Sequence, residues 1–354
     1  MKLVKKVLPA FFVLALAAGA VCAAESNYAG EALSIGVGAR PLGMGGAFAA
    51  VADDASTSYW NPAGMTNIKG VEVSSVKLTK INDLDTKYSY VNLVYNAEKA
   101  GAFGVGWLRQ AIGGIKISGI SPSDEPLTLD ELKENADNAV YFAYAYPIVD
   151  GFSMGTSIKL LLGNYPAFVY TGGGSDIAEA TVNYFGYGFD LGLYFNLAAF
   201  VKDVNLSIGL NVQDIYTTIE WDEINGVTEG FTENVGINFK PGIAYRLPIQ
   251  QFEIVAACDL DTRYEQMVIH AGGELWWNKM VGLRGGIKHW GAISEQDFAQ
   301  EADWSIGASL RWYFIGVDYA YVYNELTPVQ YISCLLYTSP SPRDRTRTRM
   351  PSSA

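Results

Sequence analysis

The residues able to do chemistry are few and scattered. His270 and His289 are the only histidines in 354 residues. Neither stands near a cysteine or an acidic cluster at the spacing a metal site requires, so no metal is expected. His270, two and four residues from Gly272 and Glu274, reads as a structural or solvated imidazole. Asp130, Glu131 and Glu134 fall on Thr128-Leu-Asp-Glu-Leu-Lys-Glu134, which predicts a solvated loop helix and not a paired acid and base. No nucleophile elbow is expected. The glycine-rich run from Gly36 to Gly46 lacks the strand–loop–helix setting of a phosphate cradle. These signs point away from an enzyme, a catalytic residue or a cofactor.

The elements that would position these residues are strands. In Phe185-Gly-Tyr-Gly-Phe-Asp-Leu-Gly-Leu-Tyr-Phe195, large apolar residues alternate with Gly186, Gly188, Asp190, Gly192 and Tyr194. Side chains on a strand alternate between faces with period two. The pattern recurs near 70–81, 86–97, 100–110, 138–147, 152–163, 182–197, 204–214, 235–247, 252–261, 266–278, 281–290, 303–314, 316–324 and from 329 onward. Runs of this length suit tilted strands crossing a bilayer. On the small or polar face lie Lys240, Arg246, Arg284, Lys288 and Arg311; on a lipid face each would cost about 2–4 kcal/mol at mid-bilayer. Trp107, Tyr146, Trp276, Trp277, Trp290, Trp312, Tyr321 and Tyr323 stand at strand ends as interfacial girdles would. A soluble β-sandwich shares the alternation but carries a polar exterior. The prediction is an all-β protein, a transmembrane antiparallel barrel of about fourteen strands, in the outer membrane of a diderm bacterium.

Connections alternate in length. Long segments at 111–137, 164–181, 215–234 and 291–302 predict extracellular loops, and short ones at 148–151, 198–203, 248–251 and 279–280 predict periplasmic turns. Tyr165, Phe168, Tyr170, Trp221 and Phe231 are the aromatic candidates for docking on those loops, with Gly172, Gly173 and Gly174 beside them.

Residues 1–24 read as a signal peptide: Lys2, Lys5 and Lys6, an apolar stretch, then Cys22-Ala-Ala24. Val21 is too bulky for a lipobox before Cys22. Residues 334–354 turn abruptly to Ser, Pro, Thr and Arg and are set aside as non-native read-through. The barrel is assigned to 70–333, its last strand cut short after Tyr331-Ile-Ser333. Net charge is −12, which argues against nucleic acid. Cys258 is the one cysteine clear of both ends, so no internal disulfide is expected.

Residues 25–69 lack the alternation. Pro41 predicts the start of a short helix with Met44, Phe48 and Val51 on one face, ended by Asp53-Asp54. Asn61-Pro62 marks a turn. The expectation for Asp53 and Asp54 is turn capping, with Arg40 solvated; Arg246 and the other lumenal cations are the alternative partners, because an unmatched buried charge is expensive.

Gly-Ala-Arg40-Pro41-Leu-Gly43-Met-Gly45-Gly46-Ala-Phe, then Asp53-Asp54, then Tyr-Trp60-Asn61-Pro62-Ala63-Gly64-Met, resembles the amino-terminal signature of PorV/PorQ-type proteins within the FadL-like outer-membrane barrels. The resemblance implies a fourteen-strand barrel whose amino-terminal segment enters the lumen as a hatch or plug. It also implies a gated conduit for hydrophobic small molecules or, alternatively, a PorV-like secretion component that binds or shuttles protein cargo. Outer-membrane lipid and the barrel-assembly machinery are the implied partners. A wide, water-filled porin fits less well, since it needs more opposed lumenal charge.

Overall fold

The computed structural model describes residues 31–80, 85–115, 118–120, 126–128, 133–171, 176–223, 229–263, 267–291, 302–324 and 328–338. The expected signal peptide, the first residues of the hatch, Asp130, Glu131, Gly172–Gly174 and the tail from 339 lie outside these.

Seventeen strands occur among the described residues: β1 (Gly70–Lys80), β2 (Asp85–Asn96), β3 (Ala102–Ile115), β4 (Ser118–Ile120), β5 (Pro126–Thr128), β6 (Lys133–Val149), β7 (Phe152–Thr171), β8 (Asp176–Asn196), β9 (Leu206–Trp221), β10 (Thr232–Val235), β11 (Asn238–Ile249), β12 (Phe252–Asp261), β13 (Met267–Trp277), β14 (Val281–Gly291), β15 (Asp303–Trp312), β16 (Ile315–Tyr323) and β17 (Val329–Tyr337). All but β4, β5 and β10 form one antiparallel fourteen-strand barrel. It closes where β17 pairs with β1, from Leu78↔Tyr331 to Glu72↔Tyr337. Closure leaves no unpaired edge facing hydrocarbon.

The burial pattern is inside-out. On β2, Val91, Leu93 and Tyr95 are 43%, 44% and 47% exposed, while Tyr90, Asn92 and Val94 between them are at 0%. On β15, Trp304, Ile306, Leu310 and Trp312 face outward and Ser305 and Ser309 are buried. A soluble protein rarely shows so continuous an apolar surface; lipid is the solvent that suits it. Cys258 and Cys334 are free thiols on that exterior.

Several expectations need correction. The long segments are largely strand: β7 and β8 stay paired to Thr171↔Asp176, and β3 and β6 to Ile115↔Lys133. These stretches had read as loops because apolar alternation stops above the bilayer while backbone pairing continues. The predicted helix at 128–134 is absent where described, since β5 ends at Thr128 and β6 begins at Lys133. Val235, expected to open the strand near 235–247, instead ends β10, a short strand on β9, and is buried. The last strand continues past residue 333 to Tyr337, with outward and inward residues still alternating. Trp276 is not a girdle residue; it is buried on the lumenal face. Tyr165 packs against Tyr184 and Trp221, and Trp221 stacks on Phe231. The side chains of Phe168, Tyr170 and Trp290 lie outside the described ones.

Candidate functional site: the hatch and its seat

The segment before β1 sits inside the barrel. Its helix, Ala39–Gly43, is only five residues long. Gly45 and Gly46 follow at φ 68° and 84°, a left-handed conformation that glycine adopts without steric cost and that ends the helix. The expected shared helical face of Met44, Phe48 and Val51 therefore does not form, although all three are at 0% exposure. A second turn, Thr57–Trp60, stops at Asn61, whose backbone is extended as the following Pro62 requires. Asn61 Oδ1 then caps the next turn by accepting from Ala63 N at 3.2 Å. Its Nδ2 donates to Ala49 O at 2.8 Å and to Leu193 O of β8 at 3.0 Å. One side chain thus shapes the hatch and fixes it to the wall. Trp60 Nε1 donates to Val37 O at 2.7 Å.

The wall meets this backbone with short polar side chains. Asp259 Oδ2 accepts from Phe48 N at 2.6 Å and Ala49 N at 2.7 Å. Ser207 Oγ donates to Ala50 O at 2.8 Å, Asn211 Nδ2 to Trp60 O at 2.9 Å, and Ala39 N donates to Ser333 Oγ at 2.7 Å. Tyr88 OH donates to Gly36 O at 2.5 Å, and Tyr59 OH, within the hatch, donates to Leu33 O. Hatch and wall also share one apolar core that includes Val37, Phe48, Trp60, Leu108 and Tyr141. At Gly155 of β7 a Cβ would lie 2.5 Å from Ala63 N, so only glycine lets the two backbones come this close. Irregular backbone inside a barrel must find hydrogen bonds there, and the lumenal face supplies them.

Arg40 is buried, at 6% exposure, and not solvated as expected. Its guanidinium reaches Asp53 at 2.6 Å and Asp54 at 3.2 Å. It also grips Glu274 of β13 through two bonds, NH2 to Oε1 at 2.5 Å and Nε to Oε2 at 3.1 Å, the bidentate geometry that gives arginine its strength on carboxylates. Arg246 holds Asp53 at 2.7 Å. Arg284 lies 3.6 Å from both Glu274 and Asp318, and Arg311 lies 2.9 Å from Asp318. Arg40, Arg284 and Arg311 all pass over the Trp276 ring, at 5.4–5.8 Å. Three of the five lumenal cations picked from sequence therefore join one network with the hatch. Lys240 and Lys288 lie elsewhere, around a second cavity. Asp53 and Asp54 do more than cap a turn, although Asp54 Oδ1 does accept from Ser56 N at 3.0 Å.

Burial alone would favour neutral Asp53, but Arg246 and Arg40 hold its carboxyl far below the usual carboxylate range. Asp54 is pushed above its ordinary value by burial and by the Asp53 charge, which outweigh its share of Arg40. The linkage signs are opposite. Stability from Asp53 is complete above its unfolded pKa of about 3.9 and fades only as pH falls through the lower folded value. Stability from Asp54 is full in acid and declines as pH rises through its raised folded value. In Asp54→Asn that decline is expected to vanish, so the protection of the hatch from limited proteolysis falls less with rising pH than in the wild type. An unchanged pH profile would contradict this assignment.

Two cavities flank the hatch. One, about 300 Å³, opens at the short-turn mouth and is lined by Arg40, Asp53, Arg246, Trp276 and Arg311. The other, about 190 Å³, lies toward the opposite end between Gly45, Trp60, Lys240, Asp261, His270 and Lys288. Among the described residues no group of three or more His, Cys, Asp or Glu is placed to hold a metal ion. Gly151-Phe-Ser153-Met-Gly155 does match the spacing of a nucleophile elbow, contrary to expectation. Ser153 nevertheless lies within β7 and donates to Ala63 O at 2.9 Å, so it serves as another seat for the hatch. Sequence reasoning also missed Lys159, 2.8 Å from Asp190 and paired with Asp214. Ser153, Lys159 and Asp190 stand at inward positions of the alternation, which is the signal that finds them; Asp214 turns inward at a break in the alternation, with φ 56°.

An apolar exterior, a polar interior and a folded segment across the bore define a closed fourteen-strand barrel with a hatch in its lumen. Solved structures agree on the fold. The toluene transporter TbuX of Ralstonia pickettii is 16% identical with TM-score 0.59, over 85% of this chain and 98% of its own. TodX, a toluene transporter of Pseudomonas putida, is 13% identical with TM-score 0.54, over 85% and 96%. A FadL homologue of Pseudomonas aeruginosa is 10% identical with TM-score 0.50, over 86% and 98%. The chain belongs to the Uncharacterised protein family (UPF0164), whose profile matches residues 13–335. No curated protein matches the sequence.

Proposed function

We propose that this chain is a gated conduit for hydrophobic small molecules in the outer membrane of a diderm bacterium, and not an enzyme. The observation that carries this reading is the hatch itself. It closes the bore through hydrogen bonds and ion pairs, which can exchange partners, and it has a cavity on either side. An open pore would leak, whereas a seated hatch admits only what can displace or bypass it. The fold neighbours TbuX and TodX, described as toluene transporters, support the same reading. Outer-membrane lipid and the barrel-assembly machinery are the partners that such a barrel needs.

The amino-terminal signature favours a second reading, a PorV/PorQ-like component that holds secreted cargo, with the raised strands β6–β9 and the Trp221–Phe231 stack as the contact surface. One knockout separates the two. Under the first reading, uptake of labelled hydrophobic compounds falls while the secreted proteome is unchanged. Loss of cargo release with normal uptake would reject the conduit.

A further inference from the structure

The cavity toward the long-loop end of the hatch has a polar wall that no hydrocarbon would satisfy. We propose that it binds a small neutral molecule with an apolar ring and a hydroxyl group, the hydroxyl donating to His270 Nε2. This rests on the conduit reading and narrows its substrate class.

His270 Nδ1 lies 2.6 Å from Gly45 O of the hatch. A carbonyl only accepts, so Nδ1 carries the proton and Nε2 presents a lone pair. The side chain is buried, at 6% exposure, yet Nε2 has no hydrogen-bond partner. Asp261 Oδ2 is 3.8 Å away, beyond hydrogen-bond reach, and is itself engaged by Lys240 at 2.8 Å. Lys240 also lies over the Trp60 ring, at 5.4 Å. Lys288 and Asp303 add one charge of each sign to the lining. With its charges matched in this way, the cavity penalises an ion and leaves one acceptor to be met by a neutral donor.

The rest of the lining is mixed: Ile35 and Leu42 of the hatch and Val322 and Val329 of the barrel are its apolar part, and Ser34, Ser305 and Asn324 are polar. Its volume of about 190 Å³ exceeds the roughly 150 Å³ of an apolar cavity that admits benzene, so one substituted ring fits. A site built around a hydrogen bond disfavours the analogue that lacks the donor, because its own polar atom is then left unpaired. Toluene would therefore be a poor occupant and phenol a good one.

Fluorine NMR of the detergent-solubilised chain with fluorophenol and fluorotoluene tests this. Fluorophenol is expected to bind about tenfold more tightly. His270→Leu should abolish that preference, and His270→Gln, which keeps an acceptor, should retain much of it. Val322→Phe, which fills the cavity, should weaken both ligands, and its folding is checked by heat-modifiable gel migration. Equal affinities in the wild type, or full binding in a folded Val322→Phe variant, would overturn the proposal. Uptake of hydrophobic compounds without this preference would defeat the ligand class alone; selective binding without any uptake would defeat the conduit reading instead.

Discussion

Deletion of residues 36–65 is expected to convert a closed barrel into an open pore, seen as discrete single-channel steps where the full chain gives none. The argument is steric and polar together. These residues fill the lumen with buried side chains such as Met44, Phe48 and Tyr59. They also satisfy Asp259, Ser207 and Asn211 on the wall. Without them the wall groups face water, which satisfies them equally well, and the outer apolar surface and strand pairing are untouched. Fourteen strands enclose more space than the eight whose interior side chains can fill it. Heat-modifiable migration would show that the barrel persists. Unchanged conductance in a folded barrel would argue against a plug.

The second large effect is expected from Arg40→Ala. Arg40 is the one cation touching Asp53, Asp54 and Glu274 together. Removing it takes a counter-charge from the buried Asp54 and Glu274 and from the part-buried Asp53, and breaking a buried pair in this way costs about 3–5 kcal/mol. The loss should fall on the hatch, read as rapid protease cleavage between residues 36 and 65 while the barrel itself stays resistant. Arg40→Lys keeps the charge but not the two-pronged grip on Glu274, so it should be intermediate. A hatch as protected as the wild type in Arg40→Ala would show that the apolar core alone seats it.

Period-two patterning made the barrel legible because a lipid-facing strand must be apolar on one side and cannot be on the other. It located Lys240, Arg246, Arg284, Lys288 and Arg311 on the inner face, and the amino-terminal signature isolated Arg40, Asp53, Asp54 and Asn61. What it did not reveal was the pairing. That Arg40 meets Glu274, and Asp259 the backbone at Phe48, depends on how a segment without periodicity threads a closed cylinder. Strand ends were also hidden, since β7 and β8 lose the two-face alternation toward Thr171 and Asp176 yet remain paired. Trp276 was misread for a related reason: strand-end position suggests an interface, but inward register places it among arginines.

The contacts of Arg40 with Glu274 and of Ala39 with Ser333 join positions 234 and 294 apart in the chain. Contacts of such separation reward the chain only after most of it is ordered. The part translated before the barrel thus finds its resting place late, once β13 and β17 exist to receive it. Those two contacts close only once the cylinder is nearly complete, so a transient permeability of newly inserted protein is the expected sign of a stopper that seats last.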